Sequence, residues 1–296
     1  MNRVWGPRSD VAVYKQTYRD YGGTRTAAWS RFLILMRYSY SRLFQSKFLI
    51  LFMAICLFYP IGCATLIYLS HNSPALALLS FRPGALPAID GRFFYIFCVV
   101  QGVLAFMLTA MVGPSLISPD LANGGLALYL SRPFSRTEYV AGKMTVLFVP
   151  LSLITWVPGL LLFGIQASCT GWTWIRPNLW LAGAIVLGPL IWIIVLSLIA
   201  LALSAWVKWR IAAGAGLLAV YFVGAGLGEA INEILETRNG SLINLGEVIH
   251  TVWGDLFGYD FGTGLSVTQA WLVLGVICAI CLRLLAKRIR GFEVVK

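Results

Sequence analysis

Residues 179–206 read LWLAGAIVLGPLIWIIVLSLIALALSAW, 28 positions without a charged side chain. A helix rises about 1.5 Å per residue, so about 20 apolar residues cross the roughly 30 Å hydrocarbon layer of a bilayer. Working outward, five more blocks share this character: 48–69, 93–117, 144–166, 211–228 and 268–286. Backbone polar groups that face lipid must be satisfied within their own segment, so each block reads as a helix. The blocks are continuously apolar rather than alternating, which excludes the strands of a membrane barrel. The expected fold is an all-α integral membrane protein with six transmembrane helices.

Composition agrees with that solvent. Of 296 residues, 59% are hydrophobic and only 12% charged, too few charges to cover a soluble fold of this size. This excludes an ordinary soluble enzyme, a disordered chain and a disulfide scaffold. Of the six Cys, only Cys169 falls outside the apolar blocks. Cys278 and Cys281 form a C-x-x-C inside the last block, a context that favours helix packing over redox or zinc chemistry.

The net charge of +11 points to anionic lipid as a partner, and no nucleic acid is expected. Nineteen of the 23 Lys and Arg fall before the first block, in 118–143, in 207–210 or from Arg283 onward. The positive-inside bias then predicts a multi-pass protein of the cell (inner) membrane with both termini cytoplasmic. The outer segment 229–267 is acidic instead, carrying Glu229, Glu233, Glu236, Glu247, Asp255 and Asp260. The first 47 residues lack the early apolar core of a signal peptide, so the first block is expected to act as both targeting signal and span. The resulting layout is a cytoplasmic segment 1–25, an amphipathic helix 26–47, the six-helix domain 48–286 and a basic tail 287–296.

Within 26–47, Trp29, Phe32, Leu33, Met36, Tyr40, Leu43 and Phe44 recur at helical spacing on one face. Arg31 and Arg42 lie opposite, the pattern of a basic helix resting on the inner membrane surface. It reads either as a lipid anchor or as a lever between a cytosolic partner and the membrane. In the fifth span Gly224 and Gly228 stand at G-x-x-x-G spacing. That spacing offers a close-approach face for packing within the chain or across a dimer.

The inner loop carries more turn chemistry than a plain connector requires. Ser118-Pro119-Asp120 can start a helix, Gly124-Gly125 ends it, and Arg132-Pro133 stops the apolar run Leu126, Leu128, Leu130. Ser135 and Glu138 have capping-box spacing before the third span. Such leucines either pack on the inner helix ends or dock into another protein.

The run Asp120…Gly124-Gly125-Leu126…Leu130-Ser131-Arg132-Pro133-Phe134-Ser135-Arg136…Gly142-Lys143, placed after two spans, resembles the inner loop of ABC-2 type permeases. These are the membrane subunits of ATP-binding-cassette exporters. The preceding amphipathic helix, the six spans and the long outer segment resemble the family as well. The loop departs from it at Gly125 and Ala127, where members often carry a threonine and an acidic residue.

The resemblance implies a permease that hydrolyses nothing. It pairs with a second permease subunit as a homodimer and rests on two cytosolic ATPase subunits, which bind ATP and Mg. The coupling residues it implies are Asp120, Leu121, Gly124, Leu126, Leu128, Leu130, Arg132, Pro133 and Arg136. The chain itself carries no phosphate-binding G-x-x-x-x-G-K-[ST] run.

Other chemistry is sparse. The two histidines, His71 and His250, fall on outer segments, and neither sits in a set of ligands that suggests a metal. No block centre holds an acid or base, which argues against an ion-coupled carrier or a lipid-acting enzyme. The outer segment is a candidate exit or accessory-protein site, with short helices expected at the outer interface. The expected function is the permease subunit of an ABC exporter. The alternative is a membrane scaffold that docks a signalling or assembly partner through its inner loop.

Overall fold

A computed structural model describes residues 36–37, 39–41, 43–72, 74, 86–123, 136–207, 209–259, 262 and 264–289. Among these residues the regular structure is helical. The helices are α1 Lys47–His71, α2 Gly91–Val112, α3 Pro114–Ala122, α4 Arg136–Ile154, α5 Trp156–Thr170, α6 Trp172–Trp206, α7 Arg210–Leu235, α8 Leu245–Phe257 and α9 Val267–Arg288. A 3₁₀ turn at Asn239–Leu242 precedes α8.

Six units are long and apolar enough to cross a membrane: α1, α2 with α3, α4 with α5, α6, α7 and α9. By length and composition this is a multi-pass membrane protein. Each of the six apolar blocks read from the sequence lies within one unit, and the units run longer. The expected connector at 167–178 shrinks to Gly171, whose φ of +78° lets α5 and α6 meet across one residue.

Local chemistry sets the boundaries. Asp90 caps α2 by accepting from the Phe93 N–H at 3.1 Å. Ser266 and Gln269 form a capping box at α9. Two spans break at prolines. Pro158 has no N–H and its ring crowds the Ile154 carbonyl, so the ladder yields at Thr155 between α4 and α5. The Thr155 hydroxyl then donates to Leu151 O at 2.7 Å. Pro114 similarly separates α3 from α2.

Helix α6 is the axis of the bundle, and its buried residues run from Leu181 to Ala205. Helices α1, α7 and α9 are peripheral. Their outward faces show Phe58, Ile211 and Leu272, which suit hydrocarbon. Buried polar groups tie the helices to α2. Gln101 donates to Cys56 O at 3.1 Å, and the Trp192 indole donates to Gly102 O at 3.0 Å.

The segment after α7 forms a 3₁₀ turn and the short helix α8. It folds back into the bundle. A Cβ on Gly228 would lie 2.7 Å from Gly240 O, and one on Gly224 would lie 3.1 Å from Ile243 O. Gly224 is eleven residues before the end of α7, about 16 Å along its axis. Asn244 then caps α8, which climbs back among α2, α6 and α9. Trp253 wedges between two glycines. Its ring fills the space a Cβ would need at Gly102, and its indole donates to Gly188 O at 2.9 Å.

Candidate functional site

The helix ends next to the basic segments gather at one end of the bundle, where α1 begins, α3 ends and α4 begins. There, span two bends at Gly113–Pro114. A Cβ on Gly113 would sit 2.6 Å from the Ala200 side chain, so glycine allows α2 to press against α6 at the bend. The first turn of α3 leaves N–H groups without helical acceptors. Ser204 of α6 supplies one: its hydroxyl oxygen accepts from Ile117 N and Ser118 N at 3.1 and 2.9 Å, and its hydroxyl donates to Pro114 O at 2.9 Å. Ser118 donates in turn to Val207 O at 2.9 Å, closing the end of α6. The sequence placed Ser118 at a helix start. It lies inside α3 instead, because Pro114 opens that helix one turn earlier.

Two residues further, Asp120 meets α4. Lys143 Nζ lies 2.8 Å from Asp120 Oδ2, and the Tyr139 hydroxyl donates to the same oxygen at 2.7 Å. Lys143 is 7% exposed and also lies over the Tyr139 ring. A buried ammonium without a partner is costly, so this pair fixes the end of α3 against the first turns of α4. Those two ends flank residues 124–135. The arrangement clamps both ends of the predicted inner loop to one body.

The predicted loop residues divide accordingly. Asp120 is in the clamp, Leu121 is half-buried against the core, and Arg136 is the exposed first residue of α4. Gly124, Leu126, Leu128, Leu130, Arg132 and Pro133 lie outside the described residues. Of the amphipathic face, Trp29, Arg31, Phe32, Leu33 and Arg42 also lie outside them. Met36, Tyr40 and Leu43 are helical and half-buried, whereas Phe44 is exposed and stacks on Tyr40. The Tyr40 hydroxyl donates to Thr145 O, two residues beyond Lys143. Burial pushes the Tyr40 phenol up to about 12, so it remains a donor at neutral pH. The stretch before the first span thus reaches α4 at the same level as the clamp.

Lys143 closes the loop run that resembles the permease family, but it is not among the site residues that the sequence implies, nor are Tyr139 and Ser204. Lys143 was visible as a lone cation at the foot of an apolar block, which calls for a partner. Tyr139 and Ser204 carried no such signal.

Gly224 and Gly228 are turned against the chain's own fold-back segment, so this face serves packing within the chain. The last helix is tied down at the basic end too. Arg288 donates to Ala205 O at 3.2 Å, and Trp206 donates to Leu284 O at 3.3 Å. At the opposite end, the Tyr95 hydroxyl lies 2.9 Å from His250 Nδ1. Among the described residues no three His, Cys, Asp or Glu side chains converge as metal ligands. Compared with protein-family models and with curated proteins, the sequence matches none.

Proposed function

We propose that the chain is the permease subunit of an ABC exporter, with its basic end and both termini in the cytoplasm. Two copies pair in the cell membrane. Two ATPase subunits seat on their basic ends, hold ATP and Mg, and drive export of a substrate. Residues 124–135 form the foothold, and the helix before α1 flanks it.

The observation that carries this reading is the clamp of Asp120, Lys143 and Tyr139. A loop that only connects two spans needs no buried ion pair across its ends. A loop that receives force does, since displacement must reach both spans rather than dissipate in the connector. The coupling is linkage: the ATP-bound partner must contact this loop differently from the nucleotide-free one.

Purification in mild detergent from cells expressing the chain is expected to bring down an ATPase near stoichiometry. Leu128→Asp and Arg136→Glu should each release it while the permease stays monodisperse. Retention of the ATPase by both folded variants overturns the foothold assignment, and the absence of any ATPase overturns the exporter reading.

A further inference from the structure

The end of the bundle opposite the clamp holds a cavity of about 750 Å³. Its wall includes Arg238, His250, Thr251, Asp255, Tyr259 and Ser266. That volume is in the range of small-molecule sites. Two charges of opposite sign line it, Arg238 and Asp255, and neither forms an ion pair among the described residues. This contrasts with the clamp, where opposite charges meet at 2.8 Å.

Arg238 lies against a glycine that leaves it room. A Cβ on Gly264 would fall 2.0 Å from its Nη1 and 2.5 Å from its Cδ, and Gly264 has a φ of +69°. Gly258 and Gly262 also line the cavity with positive φ, a backbone conformation that favours glycine.

The depth of the cavity is set by tryptophans. Trp180 lies 3.3 Å from the position of a Cβ on Gly258; Trp172 and Trp180 are exposed within the first three turns of α6, and Trp271 is exposed in the second turn of α9. Exposed tryptophans at helix ends mark the headgroup layer of a bilayer. A cavity at that level, with a separated cation and anion, presents two poles at the depth where phospholipid headgroups lie.

We propose that this cavity binds a zwitterionic phospholipid headgroup, with its phosphate on Arg238 and its ammonium on Asp255. A guanidinium offers forked donors that match phosphate oxygens, and the Thr251 and Ser266 hydroxyls stand in the same wall. The carboxylate disfavours a lipid that carries phosphate without an amine. The inference is independent of the exporter reading, since it concerns the opposite end and needs no ATPase.

The test is native mass spectrometry of the full chain from nanodiscs of equal phosphatidylethanolamine and phosphatidylglycerol. The wild type is expected to retain phosphatidylethanolamine preferentially. Arg238→Ala should lower that retention about tenfold, the scale of one charge-assisted hydrogen bond. Gly264→Ala keeps the charge but displaces it, and should give a similar loss. Asp255→Asn should erase the preference between the two lipids.

Arg238 and Asp255 are exposed, and unchanged thermal transitions of their variants would show that the fold is intact. Added glycerophosphoethanolamine that displaces the lipid shows that the headgroup chemistry alone suffices. Failure to displace it shows that the acyl chains are needed as well, and the site then belongs to membrane lipid. Equal retention of the two lipids by the wild type overturns the proposal. So does unchanged phosphatidylethanolamine retention in both Arg238→Ala and Asp255→Asn.

Discussion

The two ends of the bundle solve the same packing problem with different chemistry. At the basic end, side-chain polar groups hold backbones together: Asp120 with Lys143 and Tyr139, and Ser204 with the first turn of α3. At the other end, missing side chains do so. Gly224, Gly228 and Gly240 let the fold-back segment lie against α7, and Gly102 and Gly188 receive Trp253. Asp120 and Lys143 at the first end are consumed by structure. Arg238 and Asp255 at the second are not paired with each other. An end built from a directional pair transmits displacement. An end built from close contact leaves its charges available for a ligand.

The largest expected effect breaks the directional end. Asp120→Ala strands the Lys143 ammonium in a buried site and should destabilise the protein by about 3–5 kcal/mol. Thermal unfolding in detergent measures this. Asp120→Ala with Lys143→Met should recover most of the loss, because removing both partners is far less costly than removing one. A double variant as unstable as the single one would mean that the clamp is not held by charge.

Trp253→Ala attacks the contact end. It empties the space between α2 and α6 and removes the bond to Gly188 O. A loss of about 3 kcal/mol is expected from the cavity, with no rescue from any charge change. The same unfolding measurement applies, and an effect below about 1 kcal/mol would show that the site collapses without strain.

The smallest effect sharpens the comparison. Asn244 accepts from Gly246 N and Glu247 N at the start of α8. Asn244→Ala should cost about 1 kcal/mol, a capping energy. Amide exchange read by mass spectrometry should rise in the first turn of α8 and stay unchanged at α3.

The spans were readable because hydropathy accumulates along the chain, and a block of 20 or more apolar residues has few alternatives. Helix ends were less readable. The sequence closes the fifth span at Gly228, but α7 continues to Leu235, and Asn232 in its last turns accepts from Gly240 N at 2.7 Å and donates to the Ser241 hydroxyl at 2.9 Å. The third apolar block begins at Met144, so the sequence alone makes Lys143 a loop cation. In the structure it is the first buried charge of α4.

The sequence by itself determined six apolar units and the concentration of Lys and Arg on alternate connectors. Both are sums over neighbouring residues and need no knowledge of what touches what. The tertiary structure alone decided that Asp120 finds Lys143, that Ser204 completes α3, and that Gly224 and Gly228 face their own chain. Those outcomes depend on which helix faces meet across long separations, and a local pattern carries a face's composition but not the identity of its neighbour.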